Sequence, residues 1–177
     1  MKKTLPLWLV TLAYLGILTL LRLPWQWQVI WLWAGTLLGI GLEGIDRLVY
    51  VYLVHPEDQL SIEVKQLAAV KHYREAVRLL VKRAAEQERL VSRSILFLFG
   101  WTAAAIYVVT STGSLFASGV VLGAGLHLAY DMALGWKDKE KLKSWLCWQI
   151  KRSLTDRELA VVVGLFLMVF GLLTLMM

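Results

Sequence analysis

Two apolar stretches of the 177-residue chain carry ionisable side chains that could do chemistry. The first stretch contains Glu43, Asp46 and Arg47, and the second contains His127 and Asp131. Ionisable residues are costly inside a membrane and usually face a partner or a cavity. A histidine among carboxylates can transfer protons or offer ligands to a metal ion, and an arginine can keep a neighbouring carboxylate ionised. These five residues are therefore the candidate polar site.

The ionisable residues continue two rows of glycines that have the same spacing. The rows are Gly35, Gly39, Glu43, Arg47 and Gly119, Gly123, His127, Asp131. Four residues advance an α-helix by about 400°, so each row forms a slowly drifting stripe on one helix face. Glycines at this interval let two helix backbones approach closely in lipid. We therefore predict that the two helices cross at their glycines, with Arg47 within reach of Asp131 and His127 near Glu43.

Three interpretations of the polar site are open. The first is structural, in which the charges pair locally or clamp the two helices together. The second is a proton or ion relay, and the third is metal-assisted hydrolysis. The sequence contains no H-E-x-x-H, paired histidines or cysteine cluster to support a metal. It also lacks a P-loop, a G-x-S-x-G, and a G-x-G-x-x-G that opens a helix after a strand. We therefore assign no catalytic residue, metal ligand or cofactor.

The composition indicates that these helices lie in a membrane. Hydrophobic residues make up 58% of the chain, above the roughly 45–50% that is typical of soluble proteins. A membrane span needs roughly 20 mostly apolar residues, and five runs approach or exceed that length. The predicted fold is an all-α polytopic bundle of about five spans, at residues 5–21, 25–54, 94–110, 115–136 and 159–177.

Basic residues predict how the chain is oriented in the membrane. Seventeen of the 19 lysines and arginines lie before the first run or in segments 55–93 and 137–158. Because lysine and arginine are retained on the cytoplasmic side, these parts should be cytoplasmic and the C-terminus outside. The expected location is the inner (plasma) membrane, with multiple passes. This distribution also explains the pI near 9.6 without nucleic-acid binding, and it leaves the oligomeric state open.

The orientation divides the chain into five parts, two of which should form cytoplasmic helices. Parts 1–54 and 94–136 should contain two spans each, and part 159–177 should contain one. Part 55–93 shows helical spacing in two stretches and should form an αα-hairpin. Its stretch 73–80 resembles one helix of a tetratricopeptide repeat, a family of protein-docking modules. Segment 137–158 is a basic amphipathic pattern, typical of a helix lying on an anionic leaflet, with docking on the hairpin as the alternative. Its predicted membrane-surface residues are Lys139, Lys141, Lys143, Trp145, Lys151 and Arg152.

The layout and three short sequences also carry a family resemblance. The sequences are those of residues 111–116, of residues 126–128 together with Asp131, and of residues 148–151. They resemble an uncharacterised group of small polytopic membrane proteins from candidate-phyla bacteria. The resemblance implies a bacterial setting and no mechanism.

Two classes of function are compatible with these features. The first is a non-enzymatic integral membrane module whose basic helices dock a cytoplasmic protein partner or anionic lipid of the bilayer. The alternative is a small transporter, a proton or ion relay, or a membrane-embedded metal-dependent hydrolase that uses the polar site. A dry, fully paired arrangement of the five side chains favours the first class, and a wet cavity among them favours the second.

Overall fold

The protein is all-helical in the residues described by a computed structural model, which are 6–21, 27–83, 87, 90–150 and 152–177. This confirms the predicted all-α class. In this part of the chain there are eight α-helices and no strands: α1 (Leu7–Leu21), α2 (Val29–Val49), α3 (Gln59–Ala69), α4 (Tyr73–Lys82), α5 (Ile95–Ser111), α6 (Leu115–Gly135), α7 (Lys139–Cys147) and α8 (Asp156–Met176). A π-helical turn, Tyr50–Val54, extends α2. Lys151 and the predicted starts of the first two spans, at residues 5 and 25, lie outside the described residues.

Two of these helices, α6 and α8, are long and apolar enough to cross a membrane. Helices α1 and α5 are apolar but have 15 and 17 residues. These lengths correspond to about 22 and 25 Å, against roughly 30 Å for a hydrocarbon core. Helix α2 has 21 residues but contains three charged ones. Length and composition therefore support two spanning helices, and the bundle of about five spans stays a prediction.

Helices α2 and α6 run parallel and pack backbone against backbone at the glycines of the two stripes. A Cβ added to any of the four glycines would overlap a backbone carbonyl of the facing helix. The four pairs are Gly35 with Phe116, Gly39 with Val120, Gly119 with Leu32, and Gly123 with Thr36. Because the missing side chains let the axes come so close, the residues that follow the glycines on each helix are brought face to face.

The remaining apolar helices build the main core around α6. Leu122 of α6 and Ala105 of α5 are fully buried, and Phe166 of α8 packs against the ring of Trp101 with 5.0 Å between centroids. The Trp101 indole N–H donates to the Val121 carbonyl at 2.9 Å, so this ring is held in the core by a hydrogen bond as well as by burial.

Helices α3 and α4 form a helical hairpin that packs on the π-helical turn. Its core contains Val51 from the turn, Val64 from α3 and Leu80 from α4. The chain reverses between the helices at Lys71, which has a φ of 62°. The Tyr50 hydroxyl donates to Asp58 at 2.5 Å and ties the start of α3 to the end of α2.

Helix α7 differs from the predicted surface helix in where its apolar face lies. Leu142 and Leu146 are 1% and 3% exposed and belong to the main core, whereas the pattern predicted that they face lipid. Burial in the main core removes these side chains from water as effectively as a membrane would, so the amphipathic pattern alone could not distinguish the two outcomes. The helix ends at Cys147, and Arg152 lies beyond it.

Candidate functional site

Charged side chains meet between α2 and α6 directly beyond the glycine contact. We call Glu43 and Arg47 of α2, His127 and Asp131 of α6, and Arg93 from the segment before α5 the polar cluster. Their side chains are 13–18% exposed, so each is largely withdrawn from water and needs a partner of opposite charge.

Glu43 is the centre of the polar cluster. Its Oε1 accepts from Arg47 Nη2 at 2.6 Å and from Arg93 Nη2 at 3.1 Å. Its Oε2 contacts His127 Nε2. One carboxylate is therefore shared by two guanidinium groups and an imidazole, which come from α2, from the segment before α5 and from α6.

Arg93 connects the two facing helices to α7. Its Nε and Nη2 both donate to Asp131 Oδ2, at 3.1 and 2.8 Å, while Nη2 also reaches Glu43. The guanidinium lies over the indole of Trp145 with 4.6 Å from Cζ to the ring centroid. Such stacking leaves the guanidinium edge free for hydrogen bonds, so Arg93 binds all three elements at once.

His127 has an acceptor at each ring nitrogen. Nδ1 lies 3.2 Å from the Ile40 carbonyl oxygen, and Nε2 faces the Glu43 carboxylate and lies 3.9 Å from Asp131 Oδ1. A carbonyl can only accept, so Nδ1 carries a hydrogen in this arrangement. A second proton is then needed between Nε2 and Glu43 for that contact to be a hydrogen bond. The pair is thus a place where one proton is held.

Asp46 lies beside the polar cluster but has a different role from the predicted one. Its carboxylate accepts from the backbone N–H groups of Val91 and Ser92, at 3.2 and 2.9 Å, and from the Ser92 hydroxyl at 2.6 Å. These bonds fix the backbone immediately before Arg93. Asp46 therefore positions Arg93 rather than contributing its own charge to the centre.

The pairing of Asp131 also differs from the prediction. The guanidinium that reaches it belongs to Arg93, whereas Arg47 remains on Glu43 and donates from Nη1 to the Leu80 carbonyl at 3.4 Å. Arg47 is one helical turn beyond Glu43, so its shortest reach is to its own helix and to α4. Arg93 was not among the predicted site residues because it lies at the end of a basic loop. The signal that could have pointed to Arg93 was Asp131, because the two carboxylates near Arg47 on its own helix leave Asp131 without a cation to pair with.

The cluster has part of the chemistry of a metal site. Glu43, His127 and Asp131 can each place one ligand atom within 4.8 Å of the others. The two carboxylates are already paired with two guanidinium groups, so a cation would have to displace Arg47 or Arg93. A cavity of about 20 Å³ borders Arg93 and Asp131, which is room for roughly one water molecule. The arrangement therefore has the features of a paired clamp.

The bases predicted to face anionic lipid are largely paired with acids. Lys139 and Lys143 contact Asp156 at 3.4 and 2.6 Å, and Lys143 also contacts Glu140 at 2.7 Å. Lys141 lies over the Trp145 ring at 5.6 Å, and Arg152 contacts Glu158 at 2.5 Å. Much of the charge of α7 is thus used to join it to the start of α8.

Comparison of the chain with protein-family models, with curated proteins and with solved structures finds no match. Its function has to be inferred from the contacts described above.

Proposed function

We propose that the chain is a non-enzymatic, multi-pass protein of the inner membrane whose cytoplasmic helices dock on the anionic surface of the bilayer. In this proposal α1, α2, α5, α6 and α8 are the spans, the N-terminus and the α3–α4 hairpin are cytoplasmic, and the C-terminus is outside. The polar cluster is the clamp that fixes the cytoplasmic parts to the spanning helices.

The observation that carries this proposal is the set of contacts made by Arg93. This residue joins α2 through Glu43, α6 through Asp131 and α7 through Trp145. Two carboxylates face two guanidinium groups, so each carboxylate has a guanidinium partner within the cluster, in addition to the proton that Glu43 shares with His127. A catalytic or transport site would need ligands or protonatable groups that are free to react, whereas these groups are engaged in holding helices together.

The outer face of α4 supports docking on an anionic surface. Tyr73, Val77 and Val81 follow one another at intervals of four residues, and they are 61%, 56% and 63% exposed. Arg74 and Arg78 are exposed beside this row and make no ion pair within the described part of the chain. A helix with an apolar row flanked by bases is typical of seating in the headgroups of an anionic leaflet.

The depth of α4 is compatible with that seating. The Leu80 carbonyl near its C-terminal end accepts from Arg47, so this end of α4 lies level with the inner part of α2. In the proposed topology that level is the cytoplasmic headgroup region. The α4 face is then a better docking surface than α7, since Lys139 and Lys143 of α7 are paired with Asp156 and Glu140.

A proton or cation site is the second candidate, because His127 and Glu43 hold a proton between them and Asp131 is close by. It is the weaker candidate because both carboxylates already bind guanidinium groups.

Docking of α4 can be tested with a spin label on the full chain. Val77→Cys in a Cys147→Ala background should become accessible to oxygen and protected from a water-soluble relaxation agent in phosphatidylglycerol bilayers, because the apolar row inserts. In phosphatidylcholine bilayers the label should stay in water. The matched control is Gln66→Cys, which lies on the exposed side of α3 and should stay in water in both lipids. Equal accessibility of position 77 in the two lipids would contradict docking on anionic lipid.

The topology has its own test. In the same Cys147→Ala background, Gln66→Cys should be protected from a membrane-impermeant maleimide in intact cells, whereas Ser111→Cys should be labelled. Both positions are exposed, so protection reports the side of the membrane and not burial in the protein. Labelling of position 66 but not of position 111 would reverse the proposed orientation.

A further inference from the structure

A groove between the cytoplasmic ends of α5 and α8 combines apolar walls with basic residues at its mouth. Its cavity of about 480 Å³ falls in the range of about 300–1,000 Å³ that is usual for small-molecule sites. Ile95 of α5, and Val161 and Val162 of α8, contribute to its walls. Arg152 and Arg157 also border it.

The groove continues along the two helices. A second cavity of about 90 Å³ is lined by Ile95 and Val162 again, and then by Leu98 and Phe166, one turn further along each helix. The shared residues show that the two cavities adjoin. Together they form an apolar path that starts beside the arginines and runs between α5 and α8 toward the outer side of the bundle.

The depth of the mouth matches the headgroup region of the proposed topology. Ile95 begins α5 two residues after Arg93, whose guanidinium is part of the polar cluster. Arg152 lies in the stretch between α7 and α8, and Arg157 lies in the first turn of α8. A molecule in the groove would therefore have its apolar part among the spanning helices and its charged part at the cytoplasmic surface.

The charges at the mouth favour an anion. Arg152 contacts Glu158, so the carboxylate cancels one of the two positive charges. Arg157 is exposed and has no hydrogen-bond or ion-pair partner among the described residues. The group of Arg152, Arg157 and Glu158 thus keeps one net positive charge. A phosphate can accept from both guanidinium groups, which are well suited to phosphate oxygens.

We propose that this groove is a binding site for one anionic phospholipid, with an acyl chain between α5 and α8 and its phosphate against Arg152 and Arg157. This proposal rests on the membrane location given above but uses a surface separate from α4. It assigns the protein a resident lipid in addition to docking on the leaflet.

Retention of lipid by the purified full chain tests the proposal. After incubation with dioleoyl-phosphatidylglycerol or dioleoyl-phosphatidylcholine in detergent, native mass spectrometry should show at least ten-fold more of the phosphatidylglycerol adduct. The Arg152→Gln, Arg157→Gln double variant should reduce that adduct to the phosphatidylcholine level, because it removes both guanidinium groups from the mouth and leaves the apolar walls unchanged. Equal retention of the two lipids, or an unchanged adduct in the double variant, would overturn the site.

Two further variants separate the groove from other causes. Val162→Trp fills the apolar path and should abolish retention of both lipids. If Val162→Trp does not fold, the double arginine variant, which changes only exposed side chains, still decides the result. Arg74→Gln, Arg78→Gln on α4 is the matched control and should retain phosphatidylglycerol like the unchanged protein. Loss of retention in this control would assign the lipid to the α4 surface, whereas failure of α4 insertion with intact retention would leave the groove standing.

Discussion

Replacing Arg93 with alanine should lower the free energy of unfolding by about 3 kcal/mol, because it leaves a poorly solvated carboxylate without its guanidinium. Asp131 loses both of its hydrogen bonds from Arg93, while Glu43 keeps Arg47 and His127. The loss also removes the stacking on Trp145. Unfolding of the purified protein in mixed micelles, followed by circular dichroism, measures the change. Arg152→Ala is the control, because its pair with Glu158 is solvent-exposed and should be worth less than about 1 kcal/mol.

A double-mutant cycle distinguishes the observed pairing from the predicted one. Arg93→Ala, Asp131→Ala should recover part of the loss, because neither charge is then left alone. Arg47→Ala, Asp131→Ala should be close to additive, since Arg47 donates to Glu43 and to the Leu80 carbonyl. Coupling of Asp131 to Arg47 rather than to Arg93 would remove the clamp from the proposed function.

Alanine at Gly39 and at Gly41 should change stability in opposite directions, although both glycines lie in α2. A Cβ at position 39 would overlap the Val120 carbonyl and crowd the Ala124 amide nitrogen, which are backbone atoms that cannot move aside. The helices must separate, so Gly39→Ala should lower the free energy of unfolding by about 3 kcal/mol and pull the polar cluster apart. At position 41 the added Cβ meets nothing within 4 Å, and Gly41→Ala should stabilise by up to about 1 kcal/mol through helix propensity.

The same unfolding assay measures both variants, and a cross-link adds a local readout. The cross-link is placed beyond the glycine contact, at Ile40 and His127, so that the introduced cysteines leave the glycines themselves unchanged. These two positions are close, since His127 Nδ1 lies 3.2 Å from the Ile40 carbonyl oxygen. In the Cys147→Ala background, Gly39→Ala should slow formation of the disulfide between positions 40 and 127, and Gly41→Ala should not. Equal effects of the two alanines would show that α2 and α6 do not rely on the glycine contact.

The periodicity of the sequence was informative about single helices and about which faces could meet. Helical spacing predicted the all-α class, which the described residues confirm. The four-residue spacing of glycines and ionisable residues pointed to contact between α2 and α6, where the structure places Gly35, Gly39, Gly119 and Gly123 against backbone carbonyls. Such patterns are readable because a helix converts spacing along the chain directly into position on a face.

The partners of the charges depended on contacts between distant parts of the chain. Arg93 is 50 residues from Glu43 and 38 from Asp131, and no spacing rule connects them. Its position is set by Asp46, which binds the preceding backbone, and by Trp145, which supplies a ring to stack on. The apolar face of α7 is a similar case, since burial in the core and seating in lipid satisfy the same pattern.

By itself, the sequence determined that this protein is helical, strongly apolar, and divided into apolar runs separated by basic segments, because those properties are local and additive along the chain. Only the tertiary structure decided which guanidinium neutralises which carboxylate, and that α7 buries its leucines in the core. It also decided that Asp46 binds the backbone before Arg93 and does not join the polar cluster. The physical reason is that a charge withdrawn from water must take the nearest opposite charge in space, and nearness in space is created by loop closure and helix packing.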